Sequence, residues 1–140
     1  MVYSQQALTP GTIKYLLTLY ELCEAGNGTR CVSLAAKMGV SKPSVHYMIQ
    51  NLCNLNLARK ERYGMVYLTD AGCVKAKQYH GCYEPLQQKM QQSLGLPPAL
   101  CRSAACALLS EVEYSKLPQL LQHLSEIPQS FSSCRQWHLN

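Results

Sequence analysis

The stretch from Thr29 to Thr69 constrains the fold more than any other part of this 140-residue chain. It opens with a short apolar-periodic run, Cys31 to Met38, in which Val32, Leu34 or Ala35, and Met38 are expected to face inward. Gly39 follows, the residue type best able to take the left-handed conformation that ends a helix. Ser41 then supplies an N-cap, and Pro43 is tolerated in the first turn of the next helix. Val45, Met48, Ile49 and Leu52 recur at helical spacing and predict a second buried stripe. The other face of that helix carries Lys42, Ser44, His46, Tyr47, Gln50 and Asn51, all polar or amphipathic. Leu57–Arg62 and Met65–Leu68 read as short strands joined at Tyr63-Gly64. Two helices around a tight turn, followed by a basic hairpin, are the sequence form of a winged helix-turn-helix with a two-stranded wing.

The remainder reads as mainly α. Thr9-Pro10 predicts an N-cap and first helical residue, with Ile13, Leu16, Leu17, Tyr20 and Cys23 on one face of a helix to about Ala25. Gly26-Asn27-Gly28 is a loop. Thr69 or Asp70 caps a long helix to about Leu94, with a kink expected at Pro85. Pro97-Pro98 starts another that runs to about Ser110, and Ser115 is expected to cap a last helix through Leu124. The expected organisation is a winged-helix unit over 1–70, a helical unit over 71–125 and a flexible tail over 126–140. No stretch reaches the length of a membrane span. The N-terminus lacks a basic-then-apolar leader, so a cytoplasmic location is expected.

Charge distribution supports a reader of nucleic acid. Residues 1–69 carry a net +4 and residues 70–140 a net +1. The surplus therefore lies with the winged helix, as contact with a phosphate backbone requires. Lys42, Arg59, Lys60 and Arg62 are candidate phosphate contacts, with Arg30 a further one. Ser41 caps the helix and can approach phosphate, with Pro43 beside it in the first turn. Ser44, His46 and Tyr47 lie where an early turn of a recognition helix meets base edges. Tyr63 is the aromatic tip of the hairpin. The eight Cys show no Cys-x-x-Cys pair, so neither a zinc ribbon nor a thioredoxin-type motif is indicated, and most are expected to be small buried hydrophobes. No Gly-rich phosphate loop, catalytic triad order or paired-carboxylate motif points to an enzyme.

The runs LTPGTIKYLLTLYELCEAG, SLAAKMGVSKPSV, YGMVYLTDAG and LGLPPALC resemble the diphtheria-toxin-repressor and manganese-transport-regulator family. The resemblance covers about residues 8–124 and is strongest over 30–72. It implies the short form without a C-terminal SH3-like domain. It also implies a homodimeric, metal-dependent transcriptional repressor whose winged helices bind a palindromic operator in double-stranded DNA. The helices after the wing would form the dimerisation and metal-sensing domain, sharing metal sites with the first helix. The cofactor implied is a divalent transition metal: Fe2+, Mn2+ or Zn2+.

The family's ligands carry over only in part. Its first-helix ligand falls on Lys14, which cannot bind a metal while protonated, and a further first-helix carboxylate falls on Leu17. His80 matches a ligand, Glu84 stands one turn later, and Cys106 occupies a position the family fills with carboxylate or Cys. The Glu and His expected after it are Leu109 and Ser110. Three sensors are therefore open. One is a reduced metal site of His80, Glu84 and Cys106, with Cys73, Cys82 or Cys101 as further donors, a set suited to zinc or ferrous iron. Another is the ammonium of Lys14 standing in for the ion. The third is direct oxidation of thiols. A metal-independent or thiol-sensing regulator, or a winged-helix adaptor that contacts protein, are the alternatives.

Overall fold

A computed structural model of the chain describes residues 8–23 and 26–126. They divide into two compact units, Gly11–Tyr79 and the residues from His80 onward together with those up to Pro10.

The first unit opens with α1 (Pro10–Leu22), whose Ile13, Leu16, Leu17 and Leu19 are fully buried. The residue expected to end this helix, Ala25, lies outside the described residues. β1 (Thr29–Arg30) leads directly into α2 (Cys31–Met38). Gly39 closes α2 at φ 65°, and its N–H points back to the carbonyls of Ala35 and Ala36. The buried face of α2 is Cys31, Leu34 and Ala35, spaced i, i+3, i+4. Val32 was expected inside but is 57% exposed, because that spacing turns it to the opposite face. α3 (Lys42–Asn54) buries Val45, Ile49 and Leu52, whereas Met48 at the margin of that stripe is only half-buried.

β2 (Ala58–Lys60) and β3 (Met65–Leu68) form the expected hairpin, and β1 joins it as a third strand in the order β1-β3-β2, all antiparallel. β1 has only two residues, too few for an alternating pattern to reveal. The hairpin turn is a two-residue loop, and the ladder beside it is irregular. Tyr63 (φ 61°) and Gly64 (φ 72°) are both left-handed, and the Met65 N–H donates to the Arg62 carbonyl, as in a type I′ turn. The Glu61 N–H donates to the carbonyl of that same Met65 at 2.8 Å. Glu61 and Arg62 thus oppose a single residue, which is a β-bulge, and the register shifts by one. A plain loop would set Arg59 opposite Leu68; here Arg59 faces Tyr67.

α4 (Asp70–Leu94) begins beneath the hairpin. Thr69 is its N-cap, with Oγ1 accepting the Gly72 N–H at 2.9 Å and donating to the Asn56 carbonyl at 2.8 Å. The Thr69 N–H reaches the Leu57 carbonyl at 3.1 Å. A Cβ on Gly72 would collide with that carbonyl, so this position needs the smallest residue. Pro85 lies within the helix.

The second unit contains the rest of α4, α5 (Pro98–Ser110) and α6 (Leu117–Glu126). Cys82, Leu86, Cys101, Ala105, Cys106, Leu109, Leu117 and Leu124 are buried there. Ser115 does not cap α6. It sits inside a 3-10 turn, Tyr114–Lys116, that precedes the helix and carries the chain into it. Glu126, assigned to the tail, is the last residue of α6; the remainder of the tail lies outside the described residues.

Candidate nucleic-acid interface

The local geometry of α3 is that of a helix end prepared for an anion. Ser41 is extended (φ −74°, ψ 157°) and its Oγ accepts the Ser44 N–H at 3.3 Å, while its own hydroxyl donates to Ser44 Oγ at 3.0 Å. One orphan donor of the first turn is thereby satisfied, and Pro43 has no N–H to satisfy. No acidic residue stands in that turn, and Lys42 does. The positive end of the helix dipole and the lysine favour the same sign of ligand.

Every residue that sequence assigned to nucleic-acid contact is exposed: Arg30, Ser41, Lys42, Pro43, Ser44, His46, Tyr47, Arg59, Lys60, Arg62 and Tyr63. Two of them are large aromatics with no packing reason to be outside, Tyr47 at 72% and Tyr63 at 87% exposure. Both rings are thereby left available for contact with a partner. Gln50 and Asn54 bond to each other further along α3, Nε2 to Oδ1 at 3.1 Å.

Two contacts organise the basic groups. Lys60 Nζ lies 2.9 Å from His46 Nδ1, joining the wing to the exposed face of α3. The Arg59 guanidinium stacks on Tyr67, 4.6 Å from the ring centroid, and its Nε donates to Glu61 Oε2 at 3.1 Å. Neither Arg59 partner is evident from sequence. Tyr67 is hidden by the bulge that sets the register, and Glu61 is visible only as a charge in the hairpin. Gly28 completes the stack, since a Cβ there would come within 2.7 Å of the Tyr67 ring.

The candidate metal ligands give a different picture. His80 Nε2 and Glu84 Oε1 are 3.5 Å apart, one turn along α4. Cys106 is buried at 1% exposure on α5. Among the described residues, no group of three or more His, Cys, Asp or Glu side chains is gathered so that it could hold a metal ion. Nearby, Arg102 donates to the Tyr83 hydroxyl at 3.2 Å and lies over its ring. Lys14 is half-buried on α1.

The thiols divide by environment. Cys31, Cys82, Cys101 and Cys106 are buried, Cys23 and Cys53 half-buried, and Cys73 exposed. Burial pushes the thiols of Cys23, Cys53 and Cys82 up from their ordinary value, and for Cys23 the neighbouring Cys73 adds to the rise. A thiol raised in this way is less ionised at neutral pH and so a poorer target for oxidants. Among the described residues no helix is long and apolar enough to cross a membrane.

No family model and no curated protein matches the chain. Solved structures do. The manganese regulator SloR aligns with a TM-score of 0.67 at 24% identity, over 86% of this chain and 56% of its own. IdeR from T. acidophilum aligns with a TM-score of 0.59 at 18% identity, over 81% of this chain and 53% of its own. The apo form of the manganese-activated repressor ScaR aligns with a TM-score of 0.53 at 26% identity, over 81% of this chain and 54% of its own. The chain therefore spans little more than half the length of these proteins.

Proposed function

We propose that this chain, which carries the fold of the diphtheria-toxin-repressor and manganese-transport-regulator family, is a transcriptional regulator that binds double-stranded DNA. The observation that carries this reading is the exposed surface around α3 and the wing. Five basic side chains, Arg30, Lys42, Arg59, Lys60 and Arg62, stand there with one acid, Glu61, and with two outward tyrosines. Basic groups neutralise phosphates and give affinity, and the exposed face of α3 supplies donors for base edges.

In this reading two copies place their α3 helices in successive major grooves of a palindromic operator and act as a repressor. Leu94, Leu100, Leu108 and Leu121 remain exposed in the second unit and are the candidate surface for the second copy. The structures it resembles belong to regulators, which supports a role other than catalysis.

Ion control is where the chain departs from its relatives. A divalent ion, Fe2+, Mn2+ or Zn2+, needs four or more donors in a defined geometry. His80 and Glu84 supply two, Cys106 is a compatible third that is not gathered with them among the described residues, Lys14 and Leu17 supply none, and Leu109 and Ser110 stand where further donors would be needed. Among the described residues no set fits such an ion, and no step of the mechanism passes through one. The altered site leaves the reader competent without metal.

Mobility shift on duplex DNA from the chain's own promoter region, with and without a chelator, tests the reading. Salt-sensitive binding that survives chelation is the expected result. Absence of a shift at low salt favours the protein-contacting adaptor, and a shift abolished by the chelator restores the ion.

A further inference from the structure

The contact between Lys60 and His46 deepens the duplex-binding reading, and its bearing on base choice rests on that reading. His46 lies on the exposed face of α3, and Lys60 is the last residue of β2. Their 2.9 Å contact joins Nζ to Nδ1. A lysine ammonium has three donors and no acceptor, so the ring nitrogen accepts. A neutral imidazole that accepts at Nδ1 carries its hydrogen on Nε2. The end of the ring away from Lys60 is then a donor and cannot act as an acceptor.

We propose that Lys60 is a positioning residue that holds His46 in one tautomer, as a hydrogen-bond donor on the base-reading face, rather than serving as a plain phosphate contact. The chemistry of the major groove says which bases such a donor accepts. Guanine offers O6 and N7, adenine N7 and thymine O4, all acceptors. Cytosine offers only its N4 amino group there, a donor. A ring locked as a donor therefore excludes cytosine at the position it contacts. An unlocked ring exchanges tautomers, presents an acceptor at Nε2 part of the time, and admits cytosine. The lock thus adds selectivity by rejection, which a mobile histidine cannot provide.

The test uses the full-length protein and Lys60→Met, with His46→Ala as reference. Nitrogen-15 NMR of the histidine rings at about pH 8, above the ordinary imidazole range, reads the tautomer in the absence of DNA. Selection from a pool of random-sequence duplexes reads base preference. The expected result is a single tautomer protonated at Nε2 in the unaltered protein and an averaged signal in Lys60→Met. With it, cytosine should be readmitted at the positions that His46→Ala also relaxes, by about tenfold in relative affinity, the low end of what one base contact discriminates. An unchanged tautomer in Lys60→Met overturns the proposal. So does a uniform loss of affinity across all sequences with cytosine still excluded, which is the behaviour of a phosphate contact. If the unaltered protein binds no duplex while its tautomer still responds to Lys60→Met, the duplex-binding reading itself is overturned and the base-selective role falls with it.

Discussion

Tyr63 combines a backbone that suits another residue with a side chain that touches little. At φ 61° and ψ 28° it occupies the left-handed region, where a residue other than Gly, Asn or Asp is disfavoured by roughly 1 kcal/mol. Asn followed by Gly is the pair this turn type favours. Tyr63→Asn should therefore raise the stability of the protein by about 0.5–1 kcal/mol in denaturant unfolding. The same change should weaken duplex binding several-fold, since it removes the exposed aromatic tip. Opposite signs in the two measurements would identify strain retained for contact with a partner; a loss in both would place Tyr63 in the fold instead. At this scale the candidate interface was legible because polar and aromatic residues outside the apolar stripes must lie at the surface. What stayed hidden was how they are paired. The stack of Arg59 on Tyr67 depends on a one-residue bulge that no periodicity records, and the bond from Lys60 to His46 joins two elements that no local pattern couples.

α4 carries two glycines that look alike in sequence and differ in surroundings. Gly72 faces the Leu57 carbonyl, where a Cβ would collide, and Gly81 faces open space. Gly72→Ala should force apart the junction made by the Thr69-to-Leu57 hydrogen bond, at a cost of about 1–3 kcal/mol, the usual range for overpacking. Gly81→Ala should stabilise the same helix by about 0.5–1 kcal/mol through its higher helix propensity. Thermal unfolding of the two variants checks both signs. Elements with strong punctuation were the legible ones. Gly39, Ser41, Pro43, Thr69 and Pro98 each mark a boundary by a backbone or capping requirement, and α2, α3, α4 and α5 begin or end where those residues demand. β1 lacked any such mark, and its two residues become a strand only by pairing with Met65 and Val66. Ser115 shows the reverse error: a good capping residue was absorbed into a 3-10 turn, because Leu117 is buried and the chain must already be coiled to place it there.

For the whole molecule the proposed function turns on how many copies of the chain assemble. Leu100→Glu and Leu108→Glu each put a charge on a partly exposed apolar position of α5. Either change should shift the sedimenting species from twice the mass of a single chain to that mass. Affinity for a palindromic site should fall by much more than affinity for random duplex, because only the former needs two readers at fixed spacing. A species that sediments as one chain before any substitution would refute the two-copy arrangement. The donor pair at His80 and Glu84, with no third ligand gathered beside it among the described residues, has a consequence for the cell. In the metal-independent reading proposed above, the regulator has no ion to answer to and would report on its own abundance. Where the dissociation constant of the pair exceeds the working concentration and the operator is far from saturated, promoter occupancy follows the square of that abundance, so halving synthesis lowers occupancy about fourfold by mass action. Turnover of the polypeptide would then be the dial.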